Sequence, residues 1–247
     1  MNAALPTALP ARLAAKVAAL EALLARIAAQ CRPSSLASSL SIEDMVITDA
    51  ILRGGHAIEI FTLDTGRMHA DTLALVEAIR SRYGRSVQVY KPRPEAVAQY
   101  VSAHGRDGFY DSVELRKRCC DIRKVEPLER ALAGRKSWIT GLRREQSVTR
   151  AALEVQSFDA AHGMEKFNPL ADWSEDDVWA YLRAFSVPYN ALYDQGYRSI
   201  GCAPCSRPVL PTEDVRAGRW WWEEPQAKEC GLHVGPDGKL VRTKAAA

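Results

Sequence analysis

"AIEIFTLDTGRMHADTLALVEAIRSR", residues 57–82, decides the fold. Residues 57–63 have the apolar, β-branched character of a strand, 64–69 form a polar turn, and from 70 the apolar residues take helical spacing to 82. A strand that feeds a helix is half of a crossover unit, and the pattern recurs on both sides. Upstream, Pro33 and a Ser-rich run lead into the apolar helix 42–52, which stops at Gly54 and Gly55. Downstream, strand 87–90 breaks at Pro92 and Pro94 before helix 95–103. A helix over 125–133 precedes the strand "SWITGL" at 137–142, and a further helix over 174–185 starts at an N-capping Ser174 with Asp177 three residues on. Such alternation implies an α/β fold with a doubly wound, mostly parallel sheet, whose ligands bind beyond the carboxyl ends of the strands. The polar turns at 38–44, 64–67 and 141–150 fall at those ends.

The chain has 247 residues, 47% of them hydrophobic, enough for one large α/β domain with an appendage. A formal charge of +3 is too mild for binding nucleic acid through bulk electrostatics, so an anionic ligand must be met by local basic clusters. Residues 11–30 are rich in Ala and Leu, but Arg12, Lys16, Glu21 and Arg26 interrupt them, which predicts an amphipathic helix and neither a signal peptide nor a membrane span. A cytoplasmic protein is expected, and there six cysteines point to metal binding or catalysis over disulfides. From Pro188 the sequence becomes turn-rich. The expected organisation is an N-terminal helix in 1–32, an α/β domain over 33–210 and a C-terminal segment over 211–247.

Cys202-Ala203-Pro204-Cys205 has a spacing that lets two thiolates converge on one metal centre, and Cys119-Cys120 brings the number to four. Four thiolates suit tetrahedral zinc or an iron–sulfur cluster. Adjacent side chains diverge on a strand and lie roughly 100° apart on a helix, so a cubane, with a separate iron corner for each cysteine, suits the tandem pair better than one zinc ion. Arg116, Lys117, Arg118, Arg123 and Lys124 surround the pair and are placed to offset the charge of such a centre. Cys230, in "KECGLH", has Lys228 before it, Gly231 beside it and His233 after it, the exposed and cation-rich setting of a nucleophilic thiol. Cys31 has no such surroundings.

Arg143, Arg144 and Arg150 share a turn with Ser147 and Thr149 immediately after Gly141. Guanidinium forks pair with tetrahedral oxyanions, so this turn is a candidate for a phosphate or sulfate. Ser38, Ser39 and Ser41 add hydroxyls and backbone N–H donors at a helix N-terminus, and Asp64 heads the remaining turn. Arg216 and Arg219, in "RAGRWWWEE", add positive charge shortly before Cys230; the three tryptophans there suit packing better than chemistry. His56, His69, His104 and His162 show no ligand spacing.

From Ser38 to His233 the chain resembles the thioredoxin-dependent assimilatory adenylyl-sulfate reductases, a branch of the PAPS/APS reductase family. The resemblance lies in "SSLSIEDMVITDA", "FTLDTGR", "KRCCDIRKVEPL", "WITGLRREQSVTR", "KFNPLADWSEDDVW", "SIGCAPCSRP", "RAGRWWWEE" and "KECGLH". It implies an adenine-nucleotide α-hydrolase-like (PP-loop) fold, a [4Fe-4S] cluster on Cys119, Cys120, Cys202 and Cys205, and Cys230 as nucleophile. Lys124, Arg216, Arg219 and His233 would assist catalysis, and Ser38, Ser39, Ser41, Asp64, Gly141, Arg143, Arg144 and Arg150 would bind substrate. The implied reaction, part of sulfate assimilation for cysteine biosynthesis, reduces adenosine 5'-phosphosulfate (APS) to sulfite and AMP. Thioredoxin or glutaredoxin would be the reductant, and a homo-oligomer is expected. Leu40 and Met45 depart from the S-G-G-x-D-S signature of ATP pyrophosphatases, so a phosphosulfate fits this turn better than ATP. A PAPS or dual-specificity reductase is the alternative, and a non-enzymatic iron–sulfur or zinc protein a more distant one.

Overall fold

A computed structural model describes residues 9–146 and 150–224. The predicted first helix is α1 (Ala11–Gln30), whose apolar stripe of Leu13, Val17, Leu20, Leu24 and Ile27 is buried. Strand β1 (Ser34–Ala37) leads into α2 (Ile42–Arg53), in which every residue from Ile42 to Ile51 is buried. A helix enclosed on nearly all faces is a core helix, and Glu43, Asp44, Thr48 and Asp49 are buried with its apolar residues. The deciding stretch forms β2 (Glu59–Leu63) and α3 (Ala70–Tyr83), and the next unit forms β3 (Gln88–Tyr90) and α4 (Pro94–His104).

The later elements are α5 (Val113–Cys120), α6 (Glu126–Leu132), β4 (Ser137–Ile139), β5 (Gln156–Asp159), β6 (Met164–Phe167) and α7 (Glu175–Ala184). Ser174 caps α7 as expected, with its side chain accepting from Asp177 N and the Asp177 carboxylate accepting from Ser174 N. Three elements go beyond the sequence reading. Helix α5 ends on the tandem cysteines, and β5 with β6 forms an antiparallel hairpin in a region rich in polar residues.

The six strands form one sheet in the order β3-β2-β1-β4-β6-β5. Strand β1 runs parallel to β2 and β4, β4 runs parallel to β6, and only β5 is antiparallel to its neighbour among the pairings described. The order reverses between β1 and β4, the switch point where α/β sheets of this kind open a crevice for ligands. The chain divides into two compact units, one of residues 1–62, 74–88 and 134–190, the other of 63–73, 89–133 and 191–247. No helix among the described residues is long and apolar enough to cross a membrane.

Candidate functional site

In the first unit, the turns after β1 and β4 meet at the switch point. Ser38 is buried, donates its N–H to Phe61 O at 2.8 Å, and accepts from Leu40 N on its hydroxyl at 3.2 Å. Leu40 has φ 62°, a left-handed conformation that costs a leucine energy and is held by complete burial of its side chain. Asp44 organises the rest of the turn. Its Oδ2 accepts from Ser39 N and Ser39 Oγ, both at 2.7 Å, and from Ser41 Oγ at 3.3 Å. The two serine hydroxyls expected to face a ligand are therefore directed at a carboxylate of this chain. Burial raises the Asp44 pKa to about 6, and the hydrogen bonds from Ser39 and Ser41 oppose that rise. Gly141 packs directly on this carboxylate, and a Cβ there would collide with Asp44 Oδ1.

The arginines after β4 have separate tasks. Arg143 is buried, with Nε donating to Glu43 Oε1 at 2.9 Å and Nη1 to Trp173 O at 3.3 Å. Arg144 pairs with Asp172 and donates to Leu153 O at 2.8 Å. Arg150 donates to Gln146 Oε1, and Gln146 Nε2 donates to Glu43 Oε1 at 3.0 Å. Glu43, Asp44 and Gln146 were not singled out from sequence. The acidic pair directly after the Ser-rich turn was the signal available for the first two.

In the second unit, Cys119, Cys120, Cys202 and Cys205 line one cavity. The tandem pair ends α5, and residues Asp121–Val125 continue as a π-turn, a widening of the helix common at functional sites. Cys202 precedes and Cys205 ends a 3₁₀ turn, Ala203–Cys205, tied down by Ala203 N donating to Arg67 O at 2.7 Å and Tyr110 Oη donating to Pro204 O at 2.8 Å. Thr65 Oγ1 lies 3.1 Å from Cys202 Sγ. Burial raises the pKa of Cys119, partly offset by Arg123, and pushes Cys205 up to about 12.

Of the five basic residues flanking the tandem cysteines, Arg116, Arg123 and Lys124 line the cavity, while Lys117 and Arg118 are exposed. Arg67 and Arg219 complete its cationic wall. Arg116 is fixed by a buried bidentate pair with Glu223, at 2.8 and 2.7 Å, and stacks on Trp220. Arg123 Nη1 donates to Thr65 O at 2.6 Å and Arg219 Nε to Cys205 O at 3.2 Å. Thr65 and Arg67 belong to the "FTLDTGR" motif, whose role at the cysteines could not be inferred from spacing. Asp64 accepts from Gly66 N at 2.9 Å and faces Lys91 at 3.5 Å, and Arg216 N donates to Asp214 Oδ1 at 2.8 Å. Cys230 and His233 lie outside the described residues.

The donor set fits a polynuclear sulfur-ligated centre. Among the described residues, no group of three or more His, Cys, Asp or Glu is arranged to hold a metal ion. A cubane gives each thiolate its own iron, so its ligands stand farther apart than four around one zinc ion. Trp220 supplies a second observation: its indole N–H is buried without a hydrogen-bond partner, and the residue lines the cysteine cavity. An orphan donor there suits sulfur atoms that accept hydrogen bonds.

Fold and switch-point crevice together define an α/β protein of the PP-loop class. A model of the phosphoadenosine phosphosulfate reductase domain matches residues 33–208, and the chain belongs to that family. It is 60% identical over 197 residues to the adenosine 5'-phosphosulfate reductase of Allochromatium vinosum, covering 80% of this chain and 77% of that protein. It is 59% identical over 198 residues to the reductase of the same name from Burkholderia cepacia, covering 80% and 79%. Among solved structures, the phosphate complex of phosphoadenylyl-sulfate reductase from Candida auris superposes with a TM-score of 0.67 at 25% identity, covering 83% of this chain and all of that one. FMN adenylyltransferase from Candida glabrata shares the fold, with a TM-score of 0.58 at 14% identity over 89% of this chain and 77% of that one.

Proposed function

We propose that this protein reduces adenosine 5'-phosphosulfate to sulfite and AMP with electrons from thioredoxin, in the assimilation of sulfate for cysteine synthesis. The observation that carries the reading is the cavity lined by four cysteines within a chain so close in sequence to APS reductases. Cys119, Cys120, Cys202 and Cys205 would hold a [4Fe-4S] cluster. When bound, it supplies a fixed electrostatic environment for the anionic substrate, since a dithiol delivers both electrons needed to take sulfate to sulfite.

The reaction divides into two displacements on sulfur. The Cys230 thiolate attacks the sulfur of APS, the bond from sulfur to the phosphate oxygen breaks, and AMP leaves with that electron pair. Cys230 then carries an S–SO3⁻ group. A thioredoxin thiolate attacks the Cys230 sulfur, sulfite departs with the electron pair of the S–S bond, and the second thioredoxin thiol resolves the mixed disulfide, returning Cys230 to its thiolate. Segment 211–247 acts as a catalytic tail carrying Cys230 and His233. Arg216, Arg219 and Lys124 offset charge as one anion approaches another. Ser38, Ser39, Ser41, Gly141, Arg144 and Arg150 are the substrate-binding residues of the first unit, with Arg143 braced by Glu43, and Asp64 is the substrate-binding residue of the second. A cytoplasmic setting suits the five described cysteines, all free thiols, and a homo-oligomer is the expected assembly.

Sulfite release measured side by side from APS and PAPS with reduced thioredoxin tests the reading. APS should turn over with the higher kcat/KM. Equal turnover of PAPS identifies a dual-specificity enzyme, and turnover of PAPS alone identifies a PAPS reductase.

A further inference from the structure

Gly201 is buried, and its N–H donates to Ser206 Oγ at 2.9 Å. That hydroxyl donates to Cys202 O at 3.1 Å, and the Ser206 backbone pairs with Arg219 in an antiparallel bridge. These contacts bring the buried Arg219 guanidinium directly onto the bare α-carbon of Gly201. A Cβ at this position would collide with Cζ, Nη1 and Nη2 of Arg219. The same guanidinium lies over the Trp220 ring, with Cζ 4.7 Å from the centroid, and its Nε donates to Cys205 O at 3.2 Å. Gly201 does not adopt a positive φ, so its backbone suits alanine as well as glycine. What the position lacks is room for a side chain, and the atoms in the way are the movable end of an arginine.

We propose that Gly201 is a positioning residue: its missing side chain leaves the slot that holds the Arg219 guanidinium at the wall of the cysteine cavity. The slot's role rests on the reading of Arg219 as a cation that lowers the barrier to attack on sulfur. Whatever else Arg219 touches, its guanidinium cannot keep this place beside a Cβ. A methyl group at 201 pushes it aside and leaves the backbone and the cysteines where they are.

The test is a double-mutant cycle on the full-length anaerobic enzyme, using Gly201→Ala, Arg219→Ala and the pair. The readouts are iron content and the single-turnover rate at which the SO3 adduct forms with saturating APS. Gly201→Ala should slow the adduct at least about tenfold, the effect of a group misplaced by about an ångström, and keep its iron. Arg219→Ala should slow it at least as much, and the pair should be no slower than Arg219→Ala alone, since Gly201 acts through Arg219. A wild-type rate in Gly201→Ala overturns the proposal. So does a penalty that persists in full without Arg219, or iron lost from Gly201→Ala and from the pair alike. If Gly201→Ala does not fold, recovery of the fold in the pair supports the slot, and failure there too overturns it. An unchanged rate in Arg219→Ala overturns the reading of Arg219 and the catalytic role of the slot with it, and a wild-type enzyme that forms no adduct overturns the reaction itself.

Discussion

The turn after β4 and the cysteine cavity both gather arginines, and each surrounds them differently. In the turn, the guanidinium of Arg143 meets a buried carboxylate within the same unit and Arg144 meets Asp172. In the cavity, Arg116 meets Glu223 and Arg67 meets Asp107, while Arg123 and Arg219 donate to the backbone carbonyls of Thr65 and Cys205. Carboxylates cancel positive charge, whereas carbonyls only aim it. The turn is thus braced by ion pairs, and the cavity sets Arg67, Arg116, Arg123, Lys124 and Arg219 around four thiols. Thiolates on a metal cluster are the anionic counterpart that these residues suit.

The sharpest way to break this contrast is to remove a cysteine. Replacing Cys119, Cys120, Cys202 or Cys205 with Ser should abolish turnover and the brown colour together, because a neutral hydroxyl does not substitute for a thiolate ligand. Iron and acid-labile sulfide, each expected near four per wild-type chain from cubane stoichiometry, provide the measurement. A protein that contains zinc alone would remove the cluster from the account.

A smaller effect is expected from the turn's internal brace. Glu43→Ala leaves the buried Arg143 with only the exposed Glu145 carboxylate, 3.4 Å away, as counter-charge, and should cost about 3 kcal/mol of unfolding free energy. Denaturant unfolding measures it. A loss below about 1 kcal/mol, the range of exposed pairs, would show that Glu43 and Arg143 do not brace the turn.

The smallest effect lies away from both regions, at the start of α7. Burial pushes the Asp177 carboxyl up, but the Lys16 ammonium and the Ser174 N–H and hydroxyl outweigh it and bring the pKa down to about 2 from 3.8. A depressed carboxylate stabilises the fold fully above its ordinary value, and that contribution fades as pH falls through about 2. The thermal midpoint of the wild-type protein should therefore fall over this window more steeply than that of Asp177→Asn. Equal slopes would show that the cap does not titrate with folding.

The crossover units were legible because β2 and the helices after it keep apolar periodicities of two distinct kinds. Strands β5 and β6 were not, since Gln156, Ser157, Glu165 and Lys166 break the apolar run and only the register reveals the hairpin. Helix α5 was hidden by its basic residues, Arg116 to Arg118. At the site, spacing alone associated the four cysteines, which the fold brings to one cavity from segments more than eighty residues apart. It did not reveal that Arg143 is buried against Glu43, one hundred residues away, nor that Asp44 gathers the serine hydroxyls. A charge in a turn reads as solvent-facing until its distant partner is known.

The central claim is that sulfur transfer to the protein and sulfite release are separate steps on Cys230. Mixing the anaerobic enzyme with APS and no reductant, then recording the intact mass, tests it directly. The account predicts about one equivalent of AMP per active site and a chain heavier by one SO3 group, mapped by peptide mass to Cys230 and removed by reduced thioredoxin with release of sulfite. Cys230→Ser should form no adduct while keeping the cluster colour. An adduct on Cys31, or one that still forms in Cys230→Ser, would contradict it.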